Sequence, residues 1–600
     1  MAQYDILIRG GIVFDGRRSP RFRADIGIRN GVIAKIGVLD GDTAGKVIDA
    51  QGCNVAPGII DLHTHYDSQV FWDPYCSPSG WHGVTSVIMG NCGFGFAPVA
   101  PQNREKAMLT MTRAEEVPMV CMKKGMPWDW VTFPEFIASL KRTPKSINLL
   151  PLLPLSPLMA WVMGLERAKS GALPTAAEHA EMARLLNEAL DVGAGGISAQ
   201  RHGPLSSQRD YDGTAMITDV MHDETMLHLA KVLGARNEGI IQYNYTLTDV
   251  MFGGDIEKRN MIRRHIQEVA RVSGRPVLIG ALGDADRAFV KDSMGLGLRV
   301  YPGYMTTGLG RRSSESRATS IAEQAGALDK AGGGWAHATS GSIEEVKAKL
   351  ADPQVREGMR ADLPHLTTVL GDMSGWLLIQ AATPELVKYE QTSLRQVAAD
   401  LGYQDLVDAF CELNIREDLK TRWQMKALFT ASAENDGANH NPDLELLFPK
   451  GPETFKKVAD DPWGVPGGSD GGAHTKSMTQ AHFGIHFLIQ YVREHGFLSL
   501  EEAHWRVSGL PAFQACLVDR GAIVEGAPAD IIVYDFQALG ITDRVEAHDF
   551  PGGEWRMVDR PLGLHYVIVN GVVTMDHDKE TGTAAGTLLR HGGALARAAA

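Results

Sequence analysis

The chain has 600 residues, of which 44% are hydrophobic and 22% charged, and its formal net charge is −13. At roughly 150 residues per domain, this length excludes a small binding module and predicts several domains or one barrel with insertions. The composition is that of a globular protein rather than a disordered one. The acidic balance lacks the clustered basic surface that phosphate backbones require, so nucleic acid is not an expected partner.

The cysteines and the amino terminus bear on location. The six cysteines lie far apart and form no CxxC pair, which favours a reducing compartment over a disulfide framework or a zinc knuckle. The first residues, MAQYDILIRGG, lack the regions of a signal peptide. The most apolar window, residues 147–165, contains three prolines and is interpreted as a buried strand and loop rather than a membrane span. We therefore expect a cytoplasmic protein without membrane contact.

Both ends of the chain have the sequence pattern of small β-sheets. Residues 4–36 contain short apolar runs separated by turn signals. The same pattern returns after residue 521, where Asn570 and Gly571 form a strong hairpin signal. We expect residues 1–57 and 519–590 to be two parts of one β-sandwich, and residues 591–600 to be a frayed tail.

The middle of the chain, residues 58–518, alternates strand-like and amphipathic helical runs. This pattern predicts the α/β class and a TIM-like (β/α)8 barrel. In the clearest unit, Thr175 and Glu178 form a capping box at the start of a helix. Such a barrel takes roughly 250 residues, or more than 400 with insertions. The expected insertions are residues 101–145 and 311–465, as lids or substrate walls.

The sharpest local signal for chemistry is His63 and His65, which follow a β-rich run. On an extended backbone, positions i and i+2 face the same way, so both imidazoles can reach one metal ion. A bare pair of histidines is more often structural or exposed. A second strand-like run ends at Cys92, a candidate thiolate ligand or bridge, although most free cysteines are buried core residues.

Asp470 lies in the sequence GGSDGG, which leaves its carboxylate free of bulky neighbours. It is a candidate to bind metal and to transfer protons, or else it is a turn aspartate.

Taken together, VIDAQGCNVAPGIIDLHTH, GVTSVIMGNCGFGFAP, GGSDGGAH, LSLEEAHWRVSGLPA, GAPADIIVYD and YVIVNG resemble the amidohydrolase superfamily, specifically its D-aminoacylase (N-acyl-D-amino-acid deacylase) branch. The resemblance runs from residue 4 to about residue 590 and implies a zinc-bearing (β/α)8 barrel with a β-sandwich from both chain ends. It further implies that His63, His65 and Asp470 bind zinc, with Cys92 near or bridging it. In the family, zinc activates a water, while the aspartate acts as general base and then as general acid.

The chain departs from the family at two points. Family deacylases carry two further histidines at the ends of the fifth and sixth strands, whereas residues 239–247 and 276–284 contain none. Asn244 or Gln242 can replace one histidine as a hydrogen-bonding group, but neutral amides are poor zinc ligands. We therefore expect one Zn2+ per chain, bound by His63, His65, Cys92 and Asp470 with an open position for water, and no second metal.

The remaining candidates concern the substrate and its surroundings. Tyr301, Arg201, His474 and Asn244 are candidate substrate-binding residues. His82 and His337 either donate hydrogen bonds to the metal-binding residues or are structural histidines. The methionines between residues 108 and 122 either line an apolar lid or fill gaps in the core.

These observations predict a zinc-dependent amidohydrolase of EC 3.5 type that cleaves the amide of an N-acyl amino acid or a similar bulky amide. One alternative is hydrolysis of a cyclic amide, ester or lactone by the same site. Another is a non-catalytic scaffold, against which the joint retention of four donors argues. The expected partners are a small-molecule amide substrate and further copies of the chain in a homo-oligomer.

Overall fold

The computed structural model describes residues 2–591 except 205, 207, 246–255, 282, 305–317, 323–327, 329–331, 426–451 and 477–479. Most of the predicted tail, residues 592–600, lies outside the described residues. No helix in the described ranges is long and apolar enough to cross a membrane. All six cysteines are free, as their spacing predicts.

Both chain ends contribute to one nine-stranded sheet. Asn54–Pro57 joins them, because it pairs parallel with Tyr4–Val13 and antiparallel with Ile531–Tyr534. Asn570 and Gly571, at φ 47° and 77°, form the predicted hairpin turn. The second layer of a sandwich stays a prediction. The strands of the sheet are Tyr4–Val13, Phe22–Arg29, Val32–Gly37, Ala44–Asp49, Asn54–Pro57, Ile531–Tyr534, Leu564–Val569, Val572–Asp576 and Lys579–Glu580.

Parallel strands follow one another in chain order through the middle of the molecule, in sheets of three and six. The two sheets meet at Leu152, whose amide donates to the Met89 carbonyl at 2.9 Å. At the other edge, Thr64 and Gly471 form a parallel bridge. The carboxyl ends of such strands are where α/β folds place their sites. The strands are Ile59–Asp61, Val84–Met89 and Asn148–Pro151, then Leu153–Pro154, Gly196–Gln200, Ile240–Asn244, Val277–Ala281, Val300–Tyr304 and Val465–Pro466.

Helices separate most of these strands along the chain. The capping box at Thr175 is present, and Gly193 ends that helix in the left-handed conformation. Residues 155–163 are a helix rather than the predicted loop, because Pro157 lies in the first turn, where its missing N–H costs nothing. The helices are Arg104–Glu115, Met119–Gly125, Phe133–Arg142, Leu155–Met163, Leu165–Lys169, Ala176–Val192, Asp223–Arg236, Ile256–Ser273, Asp284–Gly295, Pro452–Ala459, Phe483–Phe487, Leu488–Glu494, Leu500–His504, Trp505–Gly509 and Leu510–Gln514.

The second predicted insertion contains more regular structure than its sequence indicates. Its described part has its own hydrophobic core, in which Phe410 packs against Trp335, Trp376 and Trp423. A four-stranded sheet and seven described helices surround this core. These strands are Ala318–Thr319, Leu377–Gln380, Thr392–Ser393 and Arg422–Gln424, and the helices are Gly333–Ala338, Ile343–Ala351, Pro353–Ala361, Leu363–Leu370, Pro384–Val387, Leu394–Leu401 and Leu406–Arg416. Two small ribbons, Gly540–Ile541 with Pro561–Leu562 and Val545–Phe550 with Glu554–Val558, complete the strands.

Candidate metal centre

His63 and His65 lie just beyond the strand Ile59–Asp61, at its carboxyl end. Their ring centroids are 5.3 Å apart. The backbone between them is held in place by two contacts: the His65 amide donates to the Gly471 carbonyl at 2.7 Å, and the His63 amide donates to Asp61 Oδ1 at 3.1 Å. The i and i+2 spacing therefore brings both imidazoles to one place, as the sequence predicts.

Cys92 and Asp470 join the two histidines from distant parts of the chain. Cys92 Sγ lies 3.3 Å from His63 Nε2. Asp470 Oδ1 lies 3.4 Å from His63 Nε2 and 3.8 Å from His65 Nε2. One ligand atom each of His63, His65 and Cys92 lie within 4.8 Å of one another, a spacing that can hold a metal ion. We call these four residues the donor cluster.

The backbone around the donor cluster is strained in places. Cys92 and Asp470 have φ values of 57° and 50°, in the left-handed region that residues other than glycine rarely adopt. Gly472 has φ 88°, and a Cβ there would lie 2.6 Å from the His65 carbonyl oxygen. The loop with the sequence GGSDGG therefore packs against the histidine segment at a distance that only glycine permits.

Burial shifts the pKa values of His63, His65 and Cys92. It lowers the pKa of His63 and lowers that of His65 far below its usual value, which favours the neutral imidazole that binds metals. Burial, and then the nearby carboxylates of Glu115 and Asp470, raise the pKa of the Cys92 thiol far above its usual value. A cation at this position would reverse that last effect, because it would stabilise the thiolate.

Glu115 is a site residue that the sequence analysis missed. Its Oε2 lies 3.8 Å from His65 Nε2 and 3.4 Å from His474 Nε2, and Gln208 Nε2 donates to its Oε1 at 3.0 Å. Burial is the main cause that raises the Glu115 pKa to about 8. One signal was available: Glu115 follows Met111 by four residues in a helical pattern, so an acidic residue continues an apolar face.

His474 lies between two carboxylates beside the donor cluster. Its Nδ1 contacts Glu116 Oε1 at 2.8 Å, in addition to the contact with Glu115. Burial lowers the pKa of His474, but Glu116 and then Glu115 raise it more, to about 10. The structure thus places this predicted substrate-binding residue at the site, as a cation paired with acidic residues.

The comparisons with known proteins agree with this geometry. Residues 46–143 and 392–575 match the model of the amidohydrolase family. Over these two stretches the chain is similar to the amidohydrolase family. Its similarity is to the D-aminoacylase branch, as the motifs predict: a D-aminoacylase of Alcaligenes xylosoxydans xylosoxydans is 25% identical over 589 residues, which cover 98% of this chain and 97% of that protein.

Two further relatives extend the comparison. An uncharacterized protein of Mycobacterium tuberculosis is 28% identical over 585 residues, which cover 93% of this chain and 89% of that protein. The crystal structure of N-acyl-D-glutamate deacylase from Bordetella bronchiseptica, complexed with zinc and a phosphonate inhibitor, is 22% identical. The two structures superpose with a TM-score of 0.61, and the alignment covers 98% of this chain and 99% of the deacylase. This likeness shows a shared fold.

Asn244 lies at the carboxyl end of the parallel strand Ile240–Asn244. Its Nδ2 donates to Cys92 Sγ at 3.5 Å, and Gln242 Oε1 accepts from the Cys92 amide at 2.9 Å. The amides of this strand therefore orient the cysteine.

Tyr301 lines a cavity of about 100 Å³ together with His63, Asn244 and Asp470. It is 5% exposed and packs 6.1 Å from Phe513. This candidate is close to the donor cluster, and its side chain is buried.

Three other candidates have contacts elsewhere among the described residues. Arg201 donates to the Met221 carbonyl and pairs with Asp223, a largely exposed residue, so its guanidinium is not directed at the donor cluster. His82 contacts Asp559 Oδ1 at 3.3 Å and the Pro78 carbonyl at 2.9 Å, which supports its structural interpretation. His337 is exposed on a helix of the second insertion.

Proposed function

We propose that this protein hydrolyses the amide bond of N-acyl amino acids, with one divalent metal held by the donor cluster. The observation that carries the proposal is the convergence of two imidazoles, a thiol and a carboxylate at the carboxyl ends of the parallel strands. The names of the relatives, D-aminoacylase and N-acyl-D-glutamate deacylase, support the substrate class. A scaffold would have no physical need for four convergent donors.

The residues present suit zinc. Neutral imidazole, thiolate and carboxylate are its usual protein ligands, and contacts of 3.3 to 3.8 Å between donor atoms suit a tetrahedral arrangement. His65 Nδ1 is buried and has no hydrogen-bond partner within the described part of the chain. Because the strand Ile240–Asn244 ends in a neutral amide, we propose one zinc per chain.

Each residue would have a distinct task in the reaction. Zinc would supply an activated water and polarise the acyl carbonyl. The side chain of Asp470 is 23% exposed, so its carboxylate can contact both the donor cluster and an entering substrate. We assign to Asp470 the removal of the water proton and its return to the leaving nitrogen. Glu115 orients His65, and His474 holds Glu115 in place.

We also propose that the two parallel sheets close as one (β/α)8 barrel through the bridge between Thr64 and Gly471. A cytoplasmic location is supported by the six free cysteines. Assembly as a homo-oligomer stays a proposal from the family resemblance.

The decisive experiment is metal analysis beside an assay with N-acyl-D- and N-acyl-L-amino acids. About one zinc per chain is expected in the purified protein. His63→Ala and Asp470→Ala should lower both metal content and hydrolysis. His337→Ala, at an exposed position in the second insertion, is the matched control and should change neither.

The outcomes separate the alternatives. A metal-free protein whose folding is unaffected by both substitutions would contradict the proposal and favour the scaffold. Hydrolysis of lactones or cyclic amides but of no linear N-acyl amino acid would overturn the substrate class while leaving the metal site intact.

A further inference from the structure

A cavity of about 500 Å³ has no role in the proposed reaction, and none of the four residues of the donor cluster lines it. Its wall is largely apolar and aromatic. The wall includes Phe94, Met111, Pro157, Trp161, Tyr211 and Ile217. A volume of this order is typical of pockets that enclose a small organic ligand.

Phe94 links the cavity to the histidines. It forms part of the cavity wall, while its ring stacks on that of His65 with centroids 5.8 Å apart and planes 7° apart. Phe94 is two residues from Cys92, so this short loop contributes both to the donor cluster and to the wall.

The helix Arg104–Glu115 makes the same connection. Residues four apart lie on one face of a helix. Ala107 and Met111 line the cavity, and Glu115, four residues further along that face, reaches His65.

A third segment, residues 208–217, also connects the surroundings of His65 with the cavity wall. Gln208 donates to Glu115, whereas Tyr211 and Ile217, a few residues further along the chain, line the cavity. Three separate segments thus each extend from the surroundings of His65 to the cavity wall. We infer that the cavity lies next to the reacting centre, with Phe94 between it and His65.

The charges on the wall are compensated. Lys106 Nζ lies 3.7 Å from Glu166 Oε1, and Asp210 Oδ2 accepts from Lys169 Nζ at 2.5 Å. Because each of these charged groups has a partner of opposite charge, an uncharged apolar group is a better match for the interior than an anion or a cation.

From this geometry we propose that the cavity binds an extended apolar or aromatic group attached to the scissile amide. This inference rests on the proposed function and defines its substrate class. The group belongs either to the acyl half or to the side chain of the amino acid, and the test below distinguishes these two sources.

Two series of substrates provide the kinetic test. The first keeps glycine and lengthens the acyl group from acetyl to decanoyl. The second keeps the acetyl group and varies the amino acid from glycine to leucine and tryptophan. We expect kcat/KM to rise by about 10-fold or more along one series, which identifies the group that enters the cavity.

Two substitutions that fill the cavity test its assignment. Ala107→Trp and Ala160→Trp place an indole at different parts of the wall, so that misfolding of one variant leaves the other. Both substitutions should abolish the rise in kcat/KM along the substrate series that shows it. Ala180→Trp, at an exposed position of the helix Ala176–Val192, is the matched control and should retain it.

A binding measurement separates this inference from the proposed function. Calorimetry with decanoate and with indole-3-propionate should detect binding to the purified protein and to Ala180→Trp, and a loss of at least about 10-fold in affinity in the two cavity variants. Such a loss of affinity in a protein that hydrolyses no amide would support the cavity as a binding site and contradict the proposed function. Flat substrate series, or a preference unchanged in both cavity variants, would overturn the inference while the proposed function stands.

Discussion

Glu115 Oε2 lies 3.8 Å from Nε2 of His65, so a carboxylate from a helix between the second and third parallel strands reaches the histidine that follows the first strand. Burial raises the pKa of Glu115 to about 8, although the nearby His474 imidazolium lowers it. The relationship places a further carboxylate beside the four residues of the donor cluster.

Glu115→Gln should weaken zinc binding by about 10- to 100-fold, because the variant removes a negative charge and an orienting contact from His65. Competition with a chromogenic chelator measures the affinity. Glu116→Gln is the matched control, since Glu116 contacts His474 Nδ1 and its effect on His65 is indirect. Equal affinities of Glu115→Gln and the unchanged protein would show that Glu115 has no role in metal binding.

Asn244→His should raise the metal content above one per chain, because it adds an imidazole where the Asn244 amide now contacts Cys92 Sγ at 3.5 Å. Asn244→Ala is the control and should leave the content unchanged, since a neutral amide contributes little as a zinc ligand. Elemental analysis measures both variants. A fall in metal content in Asn244→Ala would contradict the assignment of this residue as a hydrogen-bonding group.

Gly472→Ala should lower the midpoint of thermal unfolding and the zinc content together. The added Cβ would lie 2.6 Å from the His65 carbonyl oxygen at a backbone φ of 88°, so the loop that carries Asp470 must move.

Gly496→Ala controls for the backbone strain alone. Gly496 has φ 63° with no atom within 4 Å of the new Cβ, so only about 1–2 kcal/mol of conformational strain is expected there. If Gly472→Ala retained zinc as well as Gly496→Ala does, the close packing of the loop would not be needed for the site.

The stability of the protein should fall in mild acid, partly because of His504. Burial lowers the pKa of His504 to about 3, so below the unfolded value near 6.5 only the unfolded chain binds the proton. The resulting loss grows as the pH falls from 6.5 towards 3, and it is at most about 2 kcal/mol at pH 5.

His504→Gln should flatten this dependence, because glutamine does not titrate but can still hydrogen-bond the Tyr534 hydroxyl, which lies 2.7 Å from His504 Nε2. Thermal unfolding midpoints between pH 8 and pH 5 provide the measurement. His548→Gln, at an exposed position, is the matched control and should keep the original slope. A slope that is the same in both variants would exclude His504 as a cause.

Much of the local structure was predictable because its signals lie within a few residues of one another. The capping box at Thr175 and the turn at Asn570 and Gly571 depend on contacts between near neighbours in the chain. The same holds for His63 and His65, whose common direction follows from the alternation of an extended backbone. Family motifs then indicated Cys92 and Asp470, and the structure places both beside the histidines.

What only the tertiary structure decided concerns segments that are distant in sequence. The contact of Glu115 with His65, the separate core around Phe410, and the cavity behind Phe94 all depend on how helices pack against the sheet. Arg201 shows the reverse case, because its guanidinium pairs with Asp223 instead of facing the donor cluster. Periodicity and turn chemistry act over a few residues and can be read along the chain. Side-chain packing and burial are collective, so they determine which distant residues meet only once the whole fold is formed.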